Sequence, residues 1–129
     1  MSMTPLQLVA EAQAQIQQID IPGASAHIAA GGAVIDVREP AEYLAGHLSG
    51  AINIPRGLLE FKIGDFTALS HKNTSILLYC KTSGRAALAA LNLQRMGYEN
   101  IRSLAGGFDA WVSGGQKIVT AEIDITQYG

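Results

Sequence analysis

The chain has few of the residues and segments that disulfide-bonded, metal-binding and membrane-spanning proteins require. Cysteine occurs once in 129 residues, so the sequence predicts neither an intramolecular disulfide nor a multi-cysteine metal site. The three histidines, His27, His47 and His71, lie too far apart to suggest a set of metal ligands. No apolar run approaches the roughly 18 residues that span a bilayer, and the N-terminus does not resemble a secretory signal. We therefore expect no metal, no cofactor, no membrane contact and a cytoplasmic location, where a free thiol is stable.

Charge is also scarce, because only 16% of the residues are charged and the net charge is −2. Such a balance gives no bulk attraction to nucleic acid, so no nucleic-acid partner is expected. Hydrophobic residues make up 48%, which is typical of a globular protein with a sizeable core. We predict a single domain over residues 1–129, with a core over about 15–113, an N-terminal helix over about 5–14 and a tail over 115–129.

The N-terminal helix has a clear start signal. Thr4 is a suitable cap, Pro5 suits the first helical position, and Gln7 stands where it can complete a capping box.

Short apolar runs alternate with helical segments along the rest of the chain. Runs such as AVIDV and SILLYC are typical of strands buried on both faces. Their alternation with helices predicts an α/β domain around a mostly parallel sheet. The predicted strands cover 15–21, 33–37, 51–55, 75–80 and 100–106, and the segment 117–125 is a candidate edge strand.

In such sheets, ligands bind beyond the carboxyl ends of the strands. Cys80 follows one predicted strand, and Asp36 with Arg38 closes another, so we expect these residues at the same rim. A helix follows Cys80 at once, and its N-terminus offers free N–H groups and the positive end of a dipole. Lys81 and Arg85 add positive charge. The other residues of this cysteine loop (residues 80–85) are two hydroxyl donors and a glycine for a tight turn: Thr82, Ser83 and Gly84.

Two interpretations of this loop remain open from the residues alone. A lone cysteine at the end of a buried strand is usually inert packing. A reactive thiolate is the alternative, because cations, N–H groups and hydroxyls all stabilise the charged sulfur. A packing cysteine has no need of a turn with two cations, so the residues alone support both interpretations.

Three segments in order resemble the rhodanese-like sulfurtransferases: VIDVREPAEYLAGHLSGAINIP (34–55), YCKTSGRAA (79–87) and GYENIRSLAGGFDAW (97–111). The resemblance implies a three-layer domain with a central, mostly parallel five-stranded sheet and helices on both faces. It also implies that Cys80 takes a sulfur atom from thiosulfate or a persulfide donor. The sulfur then passes from a Cys80 persulfide to a thiol or cyanide acceptor.

The same resemblance assigns roles to individual residues. Cys80 is the expected nucleophile, and the substrate-binding residues are expected in the cysteine loop: Lys81, Thr82, Ser83, Gly84 and Arg85. Asp36 and Arg38, from their position at the rim and not from the resemblance, are expected to have a structural role that affects Cys80 indirectly. The partners implied are a small-molecule sulfur donor and a thiol acceptor, with a protein donor or acceptor also open. The alternative function is a sulfur carrier that works only with a protein partner.

Details of the loop separate this family from its rivals. Cysteine phosphatases of related fold hold phosphate in a loop one residue longer than the four residues between Cys80 and Arg85. They also have histidine before the cysteine, where this chain has Tyr79. The loop departs from the family pattern as well: its glycine stands one position late, at Gly84, and Ala86 replaces a serine. Without that serine, Thr82 or Ser83 is expected to cap the following helix.

Several other polar residues are assigned structural places. His47 is expected to make a structural hydrogen bond, because an ionised thiolate needs no general base. His27 and His71 are expected at the surface, and Trp111 in the core. Glu42 is expected to be solvated in the first turn of a helix, where the dipole favours a carboxylate.

Overall fold

A computed structural model describes residues 2–120 as one α/β domain around a five-stranded sheet. The strands are β1 (Gln17–Ile19), β2 (Ala33–Asp36), β3 (Ile52–Asn53), β4 (Ser75–Tyr79) and β5 (Asn100–Leu104). The helices are α1 (Pro5–Gln13), α2 (Ile21–Ala29), α3 (Pro40–Ala45), α4 (Leu59–Lys62), α5 (Gly84–Arg95) and α6 (Gly107–Ser113), with short 3-10 turns at Ile63–Asp65 and Thr67–Leu69. The order across the sheet is β1-β5-β4-β2-β3, and every neighbouring pair is parallel. The predicted α/β class with a central five-stranded sheet is confirmed.

Both faces of the sheet are covered at its centre, which is why the central strands β2 and β4 are mostly apolar. In β4, Ile76 and Leu78 point to the layer formed by α4 and α5, and Cys80 continues that alternation. Leu77 and Tyr79 point to the opposite layer, formed by α2 and α6. The domain therefore has three layers, and the thiol belongs to the α5 face.

Helix α1 packs outside these layers, against α5. Its predicted capping box is confirmed: Gln7 N donates to Thr4 Oγ1 at 3.1 Å, and Thr4 N donates to Gln7 Oε1 at 2.8 Å. The buried contact joins Ala12 of α1 to Ala87 of α5. Helix α1 consequently lies beside the start of α5, next to the cysteine loop.

The register of the central strands places the two expected groups of polar residues at one rim. Asp36 and Tyr79 are partners in the β2–β4 pair, and Val37 N donates to Tyr79 O at 3.0 Å. The chain thus leaves β2 and β4 side by side, with Arg38 and Cys80 immediately beyond. The prediction of a common rim is confirmed.

Three of the five structural assignments hold, including that of His71, which is exposed; one holds in part and one is wrong. His47 Nδ1 donates to Tyr43 O at 2.9 Å, and Trp111 is only 5% exposed. Glu42 lies in the first turn of α3, as expected, but it is paired with Arg85 and not simply solvated. His27 is not at the surface: it is 8% exposed, and its Nε2 lies 2.7 Å from Ala33 O. The turn after α2 folds back over the ring, a tertiary contact that no local pattern announces.

The C-terminal segment meets the rim at one point. Val119 and His47 exchange two backbone hydrogen bonds, of 2.8 and 2.9 Å, as an isolated antiparallel bridge. The rest of the candidate edge strand, from residue 121, lies outside the described residues. Within residues 2–120 there is no helix with the length and apolar character to cross a membrane.

Candidate active site

The only cysteine is buried where a strand gives way to a helix. Cys80 directly follows β4, is 1% exposed, and faces the first turn of α5. Ala86 N donates to Cys80 Sγ at 3.4 Å. Burial disfavours a charged sulfur, whereas an N–H donor at a helix N-terminus favours it, so the surrounding donors decide the chemistry.

The backbone of the cysteine loop supplies such donors. The N–H groups of residues 81–85 have no hydrogen-bond acceptor within residues 2–120. They precede or begin α5, a helix of 12 residues, so its dipole adds to their partial positive charge. This arrangement is suited to holding an anion next to Cys80 Sγ.

Both cations of the loop are paired with carboxylates at the mouth. Arg85 makes a bidentate contact to Glu42, at 2.8 and 3.1 Å, and Lys81 Nζ lies 2.7 Å from Asp109 Oδ2. The hydrogen bond from Arg85 lowers the pKa of Glu42 to about 2, from an ordinary value of 4.5. The same bond raises the pKa of Arg85. The two positive charges expected in the loop are present, and each is balanced by a carboxylate, Glu42 for Arg85 and Asp109 for Lys81.

The glycine of the loop has a different role from the one expected. Gly84 is the first residue of α5, its φ is not in the left-handed region, and a Cβ there would meet only Val9 Cγ2 at 3.4 Å. The tight turn therefore does not depend on Gly84, because a helical first position suits any residue. Ser83 stands at the N-cap but makes no capping hydrogen bond, contrary to expectation. Its Oγ instead accepts from Gln13 Nε2 of α1, at 3.3 Å.

The glycine on which the loop does depend lies in the turn before α6. Gly107 has φ +62°, and a Cβ there would overlap the carbonyl oxygens of Thr82 and Cys80. The two residues that follow hydrogen-bond to the loop: Phe108 N donates to Cys80 O at 2.8 Å, and Asp109 N donates to Lys81 O at 3.0 Å. The start of α6 thus packs against the backbone of the cysteine loop. Only a residue without a side chain fits between the two segments at Gly107.

Asp36 and Arg38 form a buried network on the other face of the sheet from the thiol. Arg38 Nη2 lies 2.8 Å from Asp36 Oδ2, and Tyr79 Oη donates to the same oxygen at 2.8 Å. Arg38 also donates to Gly46 O, and its guanidinium stacks over the Phe108 ring at 4.1 Å. Burial and the neighbouring Asp36 raise the pKa of Tyr79, which stays a neutral donor. The network touches the loop through Tyr79 and Phe108, the neighbours of Cys80 in sequence and in space.

The structure therefore brings some expected site residues together and separates others. The cysteine loop surrounds the thiol, while Asp36 and Arg38 lie behind it. Three contributors were not identified from the sequence: Gln13, Gly107 and Asp109. Of these three, only Gly107 is indicated by a local sequence pattern, the Gly-Gly pair before α6. Gln13 and Asp109 contact the loop from distant parts of the chain, which no local pattern predicts.

Comparisons with known proteins support this assignment of the fold. A family model described as the Rhodanese-like domain matches residues 20–114. The chain is 35% identical over 94 residues to Thiosulfate sulfurtransferase 16, chloroplastic, of Arabidopsis thaliana, covering 67% of this chain and 78% of that protein. It is 38% identical over 78 residues to Uncharacterized protein YqhL of Bacillus subtilis, covering 60% of this chain and 59% of that protein.

A solved structure extends the similarity to nearly the whole chain. It is a protein of unknown function and possible tyrosine phosphatase from Rhodopseudomonas palustris, with TM-score 0.80 and 28% identity. The alignment covers 92% of this chain and 96% of that one. Relatives named as sulfurtransferases support sulfur transfer as the general activity of this fold. The matched range includes the whole cysteine loop together with Asp36, Arg38 and Gly107, and the chain belongs to the rhodanese-like domain family.

Proposed function

We propose that the protein is a sulfurtransferase that carries a sulfane sulfur on Cys80 as a persulfide. The donor is thiosulfate or another persulfide, and the acceptor is a thiol or cyanide. Cys80 is the nucleophile, and the remaining residues of the cysteine loop bind the transferred sulfur and its leaving group.

The first half-reaction loads the enzyme. The Cys80 thiolate attacks the outer sulfur of thiosulfate and forms an S–S bond, while the bond to sulfite breaks and sulfite leaves with its electron pair. The product, Cys80–S–S⁻, moves the negative charge one atom outward from Sγ. The N–H groups of residues 81–85 are then the donors that stabilise the terminal sulfur.

The second half-reaction unloads it. An acceptor thiolate attacks the terminal sulfur, a new S–S bond forms on the acceptor, and Cys80 leaves as a thiolate ready for the next cycle. Cyanide in the same role yields thiocyanate. Neither half-reaction requires an external oxidant or reductant, since each exchanges one bond to sulfur for another.

One observation carries the proposal: the N–H groups around Cys80 have no acceptor within residues 2–120, and Ala86 N already points at the sulfur. Unpaired backbone donors beside a buried side chain are costly unless an anion or water satisfies them. Lys81 and Thr82 are exposed and residues 83–85 are half-buried, so water reaches these donors and a persulfide anion on Cys80 can take its place.

Mass spectrometry tests the proposal directly. After incubation with thiosulfate in the absence of reducing agents, intact protein should gain the mass of one sulfur, about 32 Da, by the covalent step above. Because the chain has a single cysteine, Cys80→Ser should show no gain. A wild-type protein that acquires no adduct from thiosulfate or from a low-molecular-weight persulfide would refute the assignment.

A second candidate is a sulfur carrier that exchanges only with a protein partner. The paired cations favour it, because Lys81 and Arg85 face carboxylates and so offer little net attraction to a small dianion. This candidate predicts loading from a protein or low-molecular-weight persulfide with negligible thiosulfate:cyanide turnover. Steady-state turnover well above the uncatalysed rate would exclude it.

Phosphate-ester hydrolysis is not expected at this loop. The four residues between Cys80 and Arg85 leave it one residue shorter than a phosphate loop, and Tyr79 stands where such loops have histidine. Turnover of p-nitrophenyl phosphate that Cys80→Ser abolishes would contradict the sulfur assignment.

A further inference from the structure

A second concave site lies at the opposite edge of the sheet from Cys80. A cleft of about 820 Å³ opens where the strands begin, beside Ala33 of β2, Ile52 of β3 and Ser75 of β4. We call it the amino-edge cleft. Its volume falls within the range of small-molecule sites, and none of the residues of the cysteine loop line it.

The one strongly basic side chain in the lining of this cleft is Arg102, which projects from β5. Arg102 is half-buried, yet it makes no hydrogen bond or ion pair with any residue of 2–120. Its nitrogen atoms are not among the buried polar atoms that lack partners, so they are accessible to solvent. The other partly or fully buried arginines of the described chain, Arg38, Arg56 and Arg85, each have a carboxylate partner.

The rest of the lining suits an amphipathic anion. Hydroxyl donors come from Ser49, Thr74 and Ser75, and the described lining contains no carboxylate. Apolar surface comes from Ile28 and Ile52. A guanidinium presents a fork of N–H groups that matches carboxylate or phosphate oxygens, while the apolar side chains favour a ligand with a hydrocarbon part.

The wall of the cleft beside Arg102 is already ordered. His27 is fixed by the contact of Nε2 with Ala33 O, and since a carbonyl only accepts, Nε2 carries the proton. Gly32 lies directly against that ring, where a Cβ would be only 2.4 Å from Nε2. Binding here requires little rearrangement of the backbone around residues 31–33.

We propose that the amino-edge cleft binds a small organic anion. Its carboxylate or phosphate group pairs with Arg102, and its apolar body lies on Ile28 and Ile52. This site is independent of sulfur transfer at Cys80 and stands or falls separately from it.

Amide chemical shifts of the full-length chain test the proposal. Titration with octanoate, and separately with octyl phosphate, should give saturable shifts at Gly31, Gly32, Gly50 and Ser75 for at least one of the two. Arg102→Gln should weaken that binding by about tenfold or more, the size expected for a charged hydrogen bond. Arg95→Gln, which removes an exposed arginine of α5 outside the cleft, should leave it unchanged.

The two ligands distinguish the head groups, and inorganic phosphate tests the apolar body. Inorganic phosphate that binds as tightly as octyl phosphate would overturn the apolar part of the proposal. Absence of saturable shifts at these amides with both amphiphiles, or equal affinity in a folded Arg102→Gln, would overturn the site itself. The dispersion of the variant's own spectrum reports whether it is folded.

Discussion

Two ion pairs at the carboxyl edge of the sheet have the same closest distance and different surroundings. Asp36–Arg38 and Glu42–Arg85 each close at 2.8 Å. The side chains of the first pair are 0–4% exposed, whereas those of the second are 32–36% exposed. Distance alone therefore does not separate them, and burial does. A buried pair is costly to break, because either partner would be left charged without water.

The difference assigns the two arginines different tasks. Arg38 cannot leave Asp36 to meet a substrate, so its charge serves the fold beneath the cysteine loop. Arg85 shares its pair with solvent, where such contacts contribute little to stability. An incoming anion can therefore replace Glu42 at modest cost. The contrast predicts large effects on folding from the first pair and small ones from the second.

The strongest way to break the contrast is Asp36→Asn. This change removes the charge that balances buried Arg38 and should lower the free energy of unfolding by about 3–5 kcal/mol. Urea denaturation of the variant and the wild type measures the difference. Asp109→Asn, which removes the carboxylate of an exposed pair with Lys81, is the matched control and should cost less than about 1 kcal/mol. Equal losses in both variants would remove the distinction by burial.

Gly107 and Gly84, beside and within the cysteine loop, differ in the space that surrounds them. Gly107→Ala places a methyl group against the carbonyls of Thr82 and Cys80 at a left-handed φ, and should cost about 2–4 kcal/mol. Gly84→Ala adds a methyl group at a helical position with space for it, and should be neutral or stabilise by up to about 1 kcal/mol. Thermal unfolding of both variants tests the ranking, and the reverse order would show that Gly84, not Gly107, sets the loop.

The exposed pair should give the smallest change in stability and a visible change in reactivity. Glu42→Gln frees Arg85, so iodoacetamide should alkylate Cys80 faster at pH 7, while Arg85→Ala should slow the reaction. Glu42→Gln should lower the free energy of unfolding by less than about 1 kcal/mol, since the Glu42–Arg85 pair is about a third exposed. Unchanged alkylation in both variants would mean that Arg85 does not act on the sulfur.

The pH dependence of this pair has a definite sign. The pKa of Glu42 falls from 4.5 to about 2 on folding, so the stability it provides is fully present above about pH 5. That contribution is lost as the pH falls from 5 toward 2, while the carboxylate becomes protonated. Comparison of wild-type and Glu42→Gln unfolding at pH 3 and pH 7 measures it: the two proteins should differ less at the lower pH.

Local patterns were sufficient for the elements and for the position of the nucleophile. The run ending at Cys80, the capping box at Thr4 and the carboxylate closing β2 each depend on neighbours in sequence, and each was predicted. Contacts between distant segments were not. Glu42 and Arg85 are 43 residues apart, and no periodicity indicates that a helix after β2 faces the helix after β4. His27 was misplaced for the same reason, because its burial depends on the turn that folds over it.

The contact of α6 with the cysteine loop has a consequence for the direction of the loop's dipoles. A trans peptide unit is planar, so its C=O and N–H point in opposite directions. Phe108 N and Asp109 N hold the carbonyls of Cys80 and Lys81 toward α6. The N–H groups of Lys81 and Thr82 belong to those same two peptide units and must point away from α6. Helix α6 thereby sets the polarity of the first two peptide planes after Cys80.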